Sequence, residues 1–268
     1  MGQHWQAINP FARKLISKQH LFFIATAPLS SDGHVNLSPK GHAAETFAII
    51  NDNRVAFLDL TGSGVETIAH VRENGRITFM FCNFEDSPCI LRLWGKATVH
   101  ERGTSQFDSL MASSFQAAAA TPSGDGKSSF AAGARSIIVA DIHHVASACG
   151  YGVPLLEFKS DRDSWVSWAG SKDESAMQQY RMEKNATSLD GLAALPAAVK
   201  AANGAANGSG KSAAGGAAAV GRSGASSCSC MMVGLLQKVV GEAAAGPLLW
   251  LSVGLLAGGV LGVHAARH

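Results

Sequence analysis

The sequence predicts a mainly β fold with short helices, a barrel or a sandwich of antiparallel strands. Two observations carry this reading. Apolar runs rich in β-branched and aromatic residues follow one another with turn residues between them and few helical crossovers. An Asp-Gly pair, Asp32-Gly33, joins two such runs as a hairpin would. At least six strands in this arrangement favour closure, because closing a sheet removes its exposed edges.

The elements follow in order. A helix is expected from Asn9 to Gln19, with Pro10 in its first turn and Phe11, Leu15 and Ile16 on the face that covers one barrel end. Leu21 to Thr26 is the first strand, Ser31-Asp32-Gly33 its turn, and Val35 to Leu37 the return strand. Phe47 to Ile50 and Arg54 to Leu60 form the next pair across Asn51-Asp52-Asn53. Val65, Ile68, Ala69 and Arg72 recur at helical spacing, and Asn74-Gly75 stops that helix before the strand Arg76 to Cys82. Ile90 to Val99 and Ser136 to Ile142 are further strands, and Thr104 to Phe115 is helical with Phe107, Leu110, Met111 and Phe115 on one side.

Composition divides the chain of 268 residues into three parts. Residues 1–187 carry nearly all the aromatic side chains and can bury a core. Residues 188–227 are dominated by Ala, Gly and Ser, too poor in apolar bulk to offset their ordering entropy, and are expected to be a disordered linker. Residues 228–268 form a tail without a charged residue from Ala243 to Val263. A helix over 246–263 just reaches the roughly 30 Å of bilayer hydrocarbon, and Gly254, Gly258 and Gly262 repeat at the small-residue spacing of packed membrane helices. Lys211, Arg222 and Lys238 before the span, against Arg267 after it, place the globular part on the cytosolic side of an intracellular membrane.

The formal charge of +2, evenly spread, argues against a nucleic-acid partner. Five cysteines without a C-x-x-C pair, in a sequence that opens with no signal-peptide pattern, predict a reduced compartment. Cys228 and Cys230, upstream of the apolar tail, are candidate palmitoylation sites. His70, His143 and His144 have no metal-ligand spacing, so no metal is expected.

Chemistry concentrates at Asp59-Leu-Thr-Gly-Ser-Gly-Val-Glu-Thr67, where hydroxyls and glycines join a strand to a helix start. Free backbone amides at such a place hold a phosphate. The structural reading of the same residues is a capping box, with Ser63 as the N-cap and Glu66 bonding back to it.

This turn, together with Phe23 to Gly41, Ile90-Leu-Arg-Leu-Trp-Gly95 and Ser147-Ala-Cys-Gly-Tyr-Gly-Val-Pro154, resembles the pyridoxamine phosphate oxidase-like family of split barrels that bind flavin mononucleotide (FMN). The resemblance implies a six-stranded antiparallel split barrel, a homodimer, and FMN where two subunits meet. It points to Ser38 and Lys40 on the second barrel strand, and to Thr61, Ser63 and Thr67 on the turn and helix, as ligands of the FMN phosphate. Arg92 and Trp94 share one strand face and are candidates for contact with flavin. Glu66 departs from the family, in which lysine or arginine is common near that helix start. A carboxylate there opposes a phosphate by about 1 kcal/mol or more.

The reading that follows is an FMN-binding split-barrel oxidoreductase tethered to a membrane, with the flavin supplying redox chemistry and no catalytic side chain assigned. The alternatives are a non-enzymatic dimeric module that binds flavin or haem, and an adaptor whose barrel binds nothing.

Overall fold

The computed structural model describes residues 2–85, 87–120 and 130–195. The residues beyond 195, with most of the expected linker, the candidate span 246–263, Cys228 and Cys230, lie outside the described part. Among the described residues there are eight strands: β1 (His4–Trp5), β2 (Phe22–Thr26), β3 (Asn36–Lys40), β4 (Phe47–Asn51), β5 (Arg54–Leu60), β6 (Arg76–Cys82), β7 (Ile90–Glu101) and β8 (Ala134–Ala148). Short helices stand between and after them: α1 (Pro10–Ile16), α2 (Ala43–Thr46), α3 (Glu66–Asn74), α4 (Ser105–Ser114), α5 (Gln116–Ala120), α6 (Phe130–Gly133), α7 (Ser164–Gly170) and α8 (Glu174–Lys184).

Every strand pairing is antiparallel, in the order β3-β2-β6-β7-β8-β5-β4, with β1 added on β8. The mainly β expectation is met, with more strands than six. The surplus comes from β8, fifteen residues long, which pairs with β7, β5 and the two-residue β1.

Alternation explains which residues face inward. Phe22, Ile24, Phe57, Phe79, Phe81, Leu91 and Leu93 are fully buried in one core, where the rings of Phe22, Phe57, Phe79 and Phe81 meet at tilted or edge-on angles. A second core lies on the other side of β5, where Ala56 and Leu58 pack with Phe107, Phe115 and Phe130. Strand β5 is therefore buried on both faces, which places Asp59 near its end without access to water.

Local signals account for the helix ends. Asn9 accepts from the Ala12 amide and Pro10 takes the first helical position of α1, as its missing N–H allows. Phe11, expected on the packed face of α1, is instead half exposed against Trp5, while Ala12, Leu15 and Ile16 are buried. Gly75, at φ 72°, ends α3 in the left-handed conformation that glycine adopts without strain.

The packed chain continues to Leu195 rather than ending at residue 187. Residues 188–195, assigned by composition to the linker, form a strap on the barrel: Thr187 bridges Ala193, and Ala194 and Leu195 are buried in the first core. Among the described residues, no helix is long and apolar enough to cross a membrane.

Candidate functional site

The turn after β5 and the start of α3 are built differently from a capping box. Helix α3 begins at Glu66, with Val65 as its N-cap and no side chain bonded there. Ser63 and Gly64 are exposed, and among the described residues no acceptor takes their amides. The Glu66 carboxylate folds back over the turn, with Oε2 2.6 Å from where a Gly64 β-carbon would stand. Its Oε1 accepts the Leu189 amide of the strap at 3.4 Å. The capping-box expectation fails because Val65 keeps a non-helical backbone, at φ −139° and ψ 11°, so Glu66 becomes the first helical residue rather than the third.

Strand β3 brings Ser38 and Lys40 to the same side. Each pairs with a core residue of β2, Ser38 with Ile24 and Lys40 with Phe22, so both lie on the barrel face of the strand. Ser38 donates to Asn36 Oδ1 at 2.8 Å, and Asn36 Nδ2 donates to Thr67 Oγ1 and Thr26 Oγ1, each at 3.1 Å. Thr26 Oγ1 lies 3.0 Å from Nδ1 of the buried His70, whose Nε2 has no partner among the described residues. Burial holds the His70 pKa below the ordinary histidine value.

Lys40 Nζ lies 3.9 Å from Asp59 Oδ1. Desolvation lowers the Lys40 pKa, and the Asp59 and Glu66 carboxylates oppose that shift. Asp59 is buried completely, which by itself would raise its pKa. The Arg135 and Lys40 charges, with hydrogen bonds from Arg135 and Ser136, outweigh this and hold it below the usual carboxylate value. Arg135 Nε and Nη2 donate to the carboxylate at 2.7 and 3.3 Å, and Ser136 Oγ donates at 3.2 Å.

Thr61 is tied into this layer by every polar group. Its amide donates to Gly133, its carbonyl accepts from Trp165 Nε1 at 2.8 Å, and its Oγ1 accepts from Arg181 Nε at 2.9 Å. Asn185 Nδ2 fixes the next residue by donating to the Gly62 carbonyl at 2.9 Å.

Arg92 and Trp94 stand elsewhere. They share a row with Met80 and Thr78 of β6 and with Ala146 and His144 of β8, on the face opposite to Leu91 and Leu93. Phe23 and Ala25 of β2 and Pro39 and Leu37 of β3 continue the same face. Within one chain the sheet therefore separates Arg92 and Trp94 from Ser38 and Lys40. No group of His, Cys, Asp or Glu among the described residues can hold a metal ion.

With this geometry in view, the similarity to known proteins is informative. The family profile described as pyridoxamine 5'-phosphate oxidase matches residues 8–149. A pyridoxamine 5'-phosphate oxidase family protein of Aspergillus flavus, ustO, is 33% identical over 211 residues, covering 73% of this chain and 79% of that protein. The chain belongs to the pyridoxamine 5'-phosphate oxidase family. Solved structures similar to this family member include HupZ of Group A Streptococcus, at 17% identity and a TM-score of 0.39, covering 53% of this chain and 99% of that one. A pyridoxamine 5'-phosphate oxidase-related, FMN-binding protein of Nostoc punctiforme is 12% identical with a TM-score of 0.36, covering 50% of this chain and 78% of that one.

The family match ends at residue 149, yet Arg181, Asn185 and Leu189 all touch the turn. Sequence reasoning passed over these residues and also Asn36 and Arg135, and it weighed His70 only as a metal ligand. Asn36 had a readable signal, because a polar side chain two positions before Ser38 on an alternating strand must share its face. Arg135 and Arg181 had none, since they meet the turn across 73 and 120 positions of sequence.

Proposed function

We propose that this family member is an FMN-dependent oxidoreductase that works as a homodimer. The observation that carries the reading is the uncapped start of α3, where the exposed Ser63 and Gly64 amides have no acceptor among the described residues and Lys40 is coupled through its charge to Glu66. Backbone donors at a helix start, together with a lysine, suit a phosphate dianion. Ser63 and Lys40 would bond the phosphate directly, Ser38 and Thr67 would orient it through Asn36, and Thr61 would fix the turn. Glu66 opposes the fit, and rotation of its carboxylate away from Gly64 would clear the turn. FMN would supply hydride or electron transfer, and the chain would bind and orient it.

The dimer is supported by the outer row of Phe23, Leu37, Met80, Arg92 and Trp94, a sheet face with an apolar stripe. The membrane tether rests on the sequence of 246–263. Fusing residues 228–268 to a soluble reporter tests it, because a reporter that stays soluble removes the tether.

Isothermal titration of the full chain with FMN tests the main reading. Saturable binding is expected, and well-folded protein that takes up no FMN would overturn it. The second reading, a binding module without turnover, is favoured by Glu66, whose carboxylate over the turn weakens hold on a phosphate. It predicts a ligand that is bound but not reduced by nicotinamide donors.

A further inference from the structure

A second polar feature lies outside the proposed flavin site. Beside α8 and the adjoining ends of β7 and β8 is a groove of about 310 Å³ lined by Arg102, Arg135, Arg181, Glu174, Met182 and Leu195, among others. Its charge is out of balance. Asp59 answers both Arg135 and Lys40, and Glu174 answers both Arg102 and Arg181. Glu101 also lines the groove, but its carboxylate is engaged by Arg72. Among the described residues, the three arginines that line the groove thus have within it only one carboxylate, Glu174, that is not engaged by Arg72.

The two carboxylates differ in how firmly they are held. Asp59 is fully buried and hydrogen-bonded to Arg135 at 2.7 Å. Glu174 is 64% exposed and stands 3.7 Å from both Arg102 Nε and Arg181 Nη1, beyond hydrogen-bonding distance. It screens Arg102 Nε and Arg181 Nη1 without occupying them, while Arg102 Nη1 and Arg181 Nε and Nη2 donate within the chain. Arg181 is 11% exposed, and desolvation lowers its pKa to about 10, which leaves it a cation at neutral pH. The groove also presents Met182 and Leu195, an apolar floor next to the charges.

We infer that this groove binds a small organic oxyanion, a carboxylate or a phosphate monoester on an apolar body, held between Arg102 and Arg181 after Glu174 swings out. The gap between the guanidinium groups admits an oxyanion whose oxygens reach both, forming the short charge-assisted bonds that Glu174 does not make. The apolar body would lie on Met182 and Leu195. The volume matches small-molecule sites, which start near 300 Å³. Arg181 joins this groove to the turn through Thr61 Oγ1, but no residue proposed to bind the FMN phosphate directly lines the groove.

The test is titration of the full chain with benzoate, phenyl phosphate and neutral benzamide, followed by NMR or calorimetry. Benzoate or phenyl phosphate should bind and benzamide should not, and the tighter of the two names the oxyanion. Glu174→Gln removes the competing charge from an exposed position and should tighten that probe several-fold. Arg102→Gln should weaken it about tenfold, the loss of one hydrogen bond to a charged group. Arg102 also donates to the Ala131 carbonyl, so Arg102→Lys, which keeps a cation and loses the fork, provides a second weakened variant if the first does not fold. Equal binding of benzamide, or no tightening in Glu174→Gln, would overturn the proposal. FMN affinity should be unchanged in Glu174→Gln, whether or not the flavin reading holds. Tighter FMN in that variant would make the groove part of the flavin site and overturn its independence.

Discussion

Two polar regions lie side by side at the end of β5, and they are built on opposite principles. The layer of Asp59, Arg135, Ser136 and Thr61 is buried, and its donors are matched to acceptors inside the chain. The turn of Ser63, Gly64 and Glu66 is open to water and leaves amides without an acceptor among the described residues. The first is dense with charge and makes the fold. The second is sparse and makes the candidate site. Unspent donors, more than the number of charged groups, mark where a ligand goes.

Substitutions in the two regions should therefore differ in kind, and the largest effect belongs to the buried layer. Asp59→Asn leaves Arg135 without its counter-charge in a place water does not reach, and chemical denaturation should show a loss of about 3 to 5 kcal/mol. Acid should act in the same direction. The folded-state pKa of Asp59 is lowered, so its contribution is present above the ordinary carboxylate pKa and fades as pH falls below it. A loss under 1 kcal/mol would mean that water reaches Arg135 and would erase the contrast.

At the turn, binding should change more than stability. Lys40→Ala should cost FMN affinity about 1.5 to 3 kcal/mol and leave riboflavin, which has no phosphate, almost unaffected. Equal losses for both ligands in parallel titrations would move Lys40 from the phosphate to the ring or to the fold.

The strands were legible because alternation is local: Phe22 and Ile24, or Leu91 and Leu93, declare their buried face within three residues. Gly75 as a helix stop was legible for the same reason. The start of α3 was not, because Ser63-x-x-Glu66 satisfies a capping pattern that the non-helical backbone of Val65 breaks. Helices α7 and α8 were missed because their surfaces are mostly polar, with only Ala169 and Met177 buried in them. Of the candidate ligands, Ser38 and Lys40 fall on one face by strand register, while the separation of Arg92 and Trp94 from them depends on pairings across β2, β6 and β7.

His70, buried on the helix that leaves the turn, sharpens the contrast through pH. Its pKa is lowered by burial, so the unfolded chain takes up a proton that the folded one resists, and stability should fall as pH drops below about 6.5. One such group gives a slope of at most about 1.4 kcal/mol per pH unit. His70→Gln should flatten the profile between pH 5 and 6.5, a window set by the ordinary histidine pKa. An unchanged slope would place the proton uptake elsewhere.

The smallest effect is expected at Glu66. Glu66→Gln keeps an acceptor for the Leu189 amide while removing the charge over Gly64, so FMN affinity should rise by about 1 kcal/mol with stability within roughly 0.5 kcal/mol of the parent. A fall in affinity on titration would mean that the carboxylate itself holds the ligand.

The strap has a practical consequence for anyone who handles the protein in pieces. A fragment trimmed to the family boundary at residue 149 would discard Met182, Ala194 and Leu195 and strip the cover from the first core. Newly bared apolar surface of that kind invites self-association. A cut after residue 195 keeps those side chains in place, so the useful unit for expression is set by what the extension covers and not by where the ancestral pattern stops.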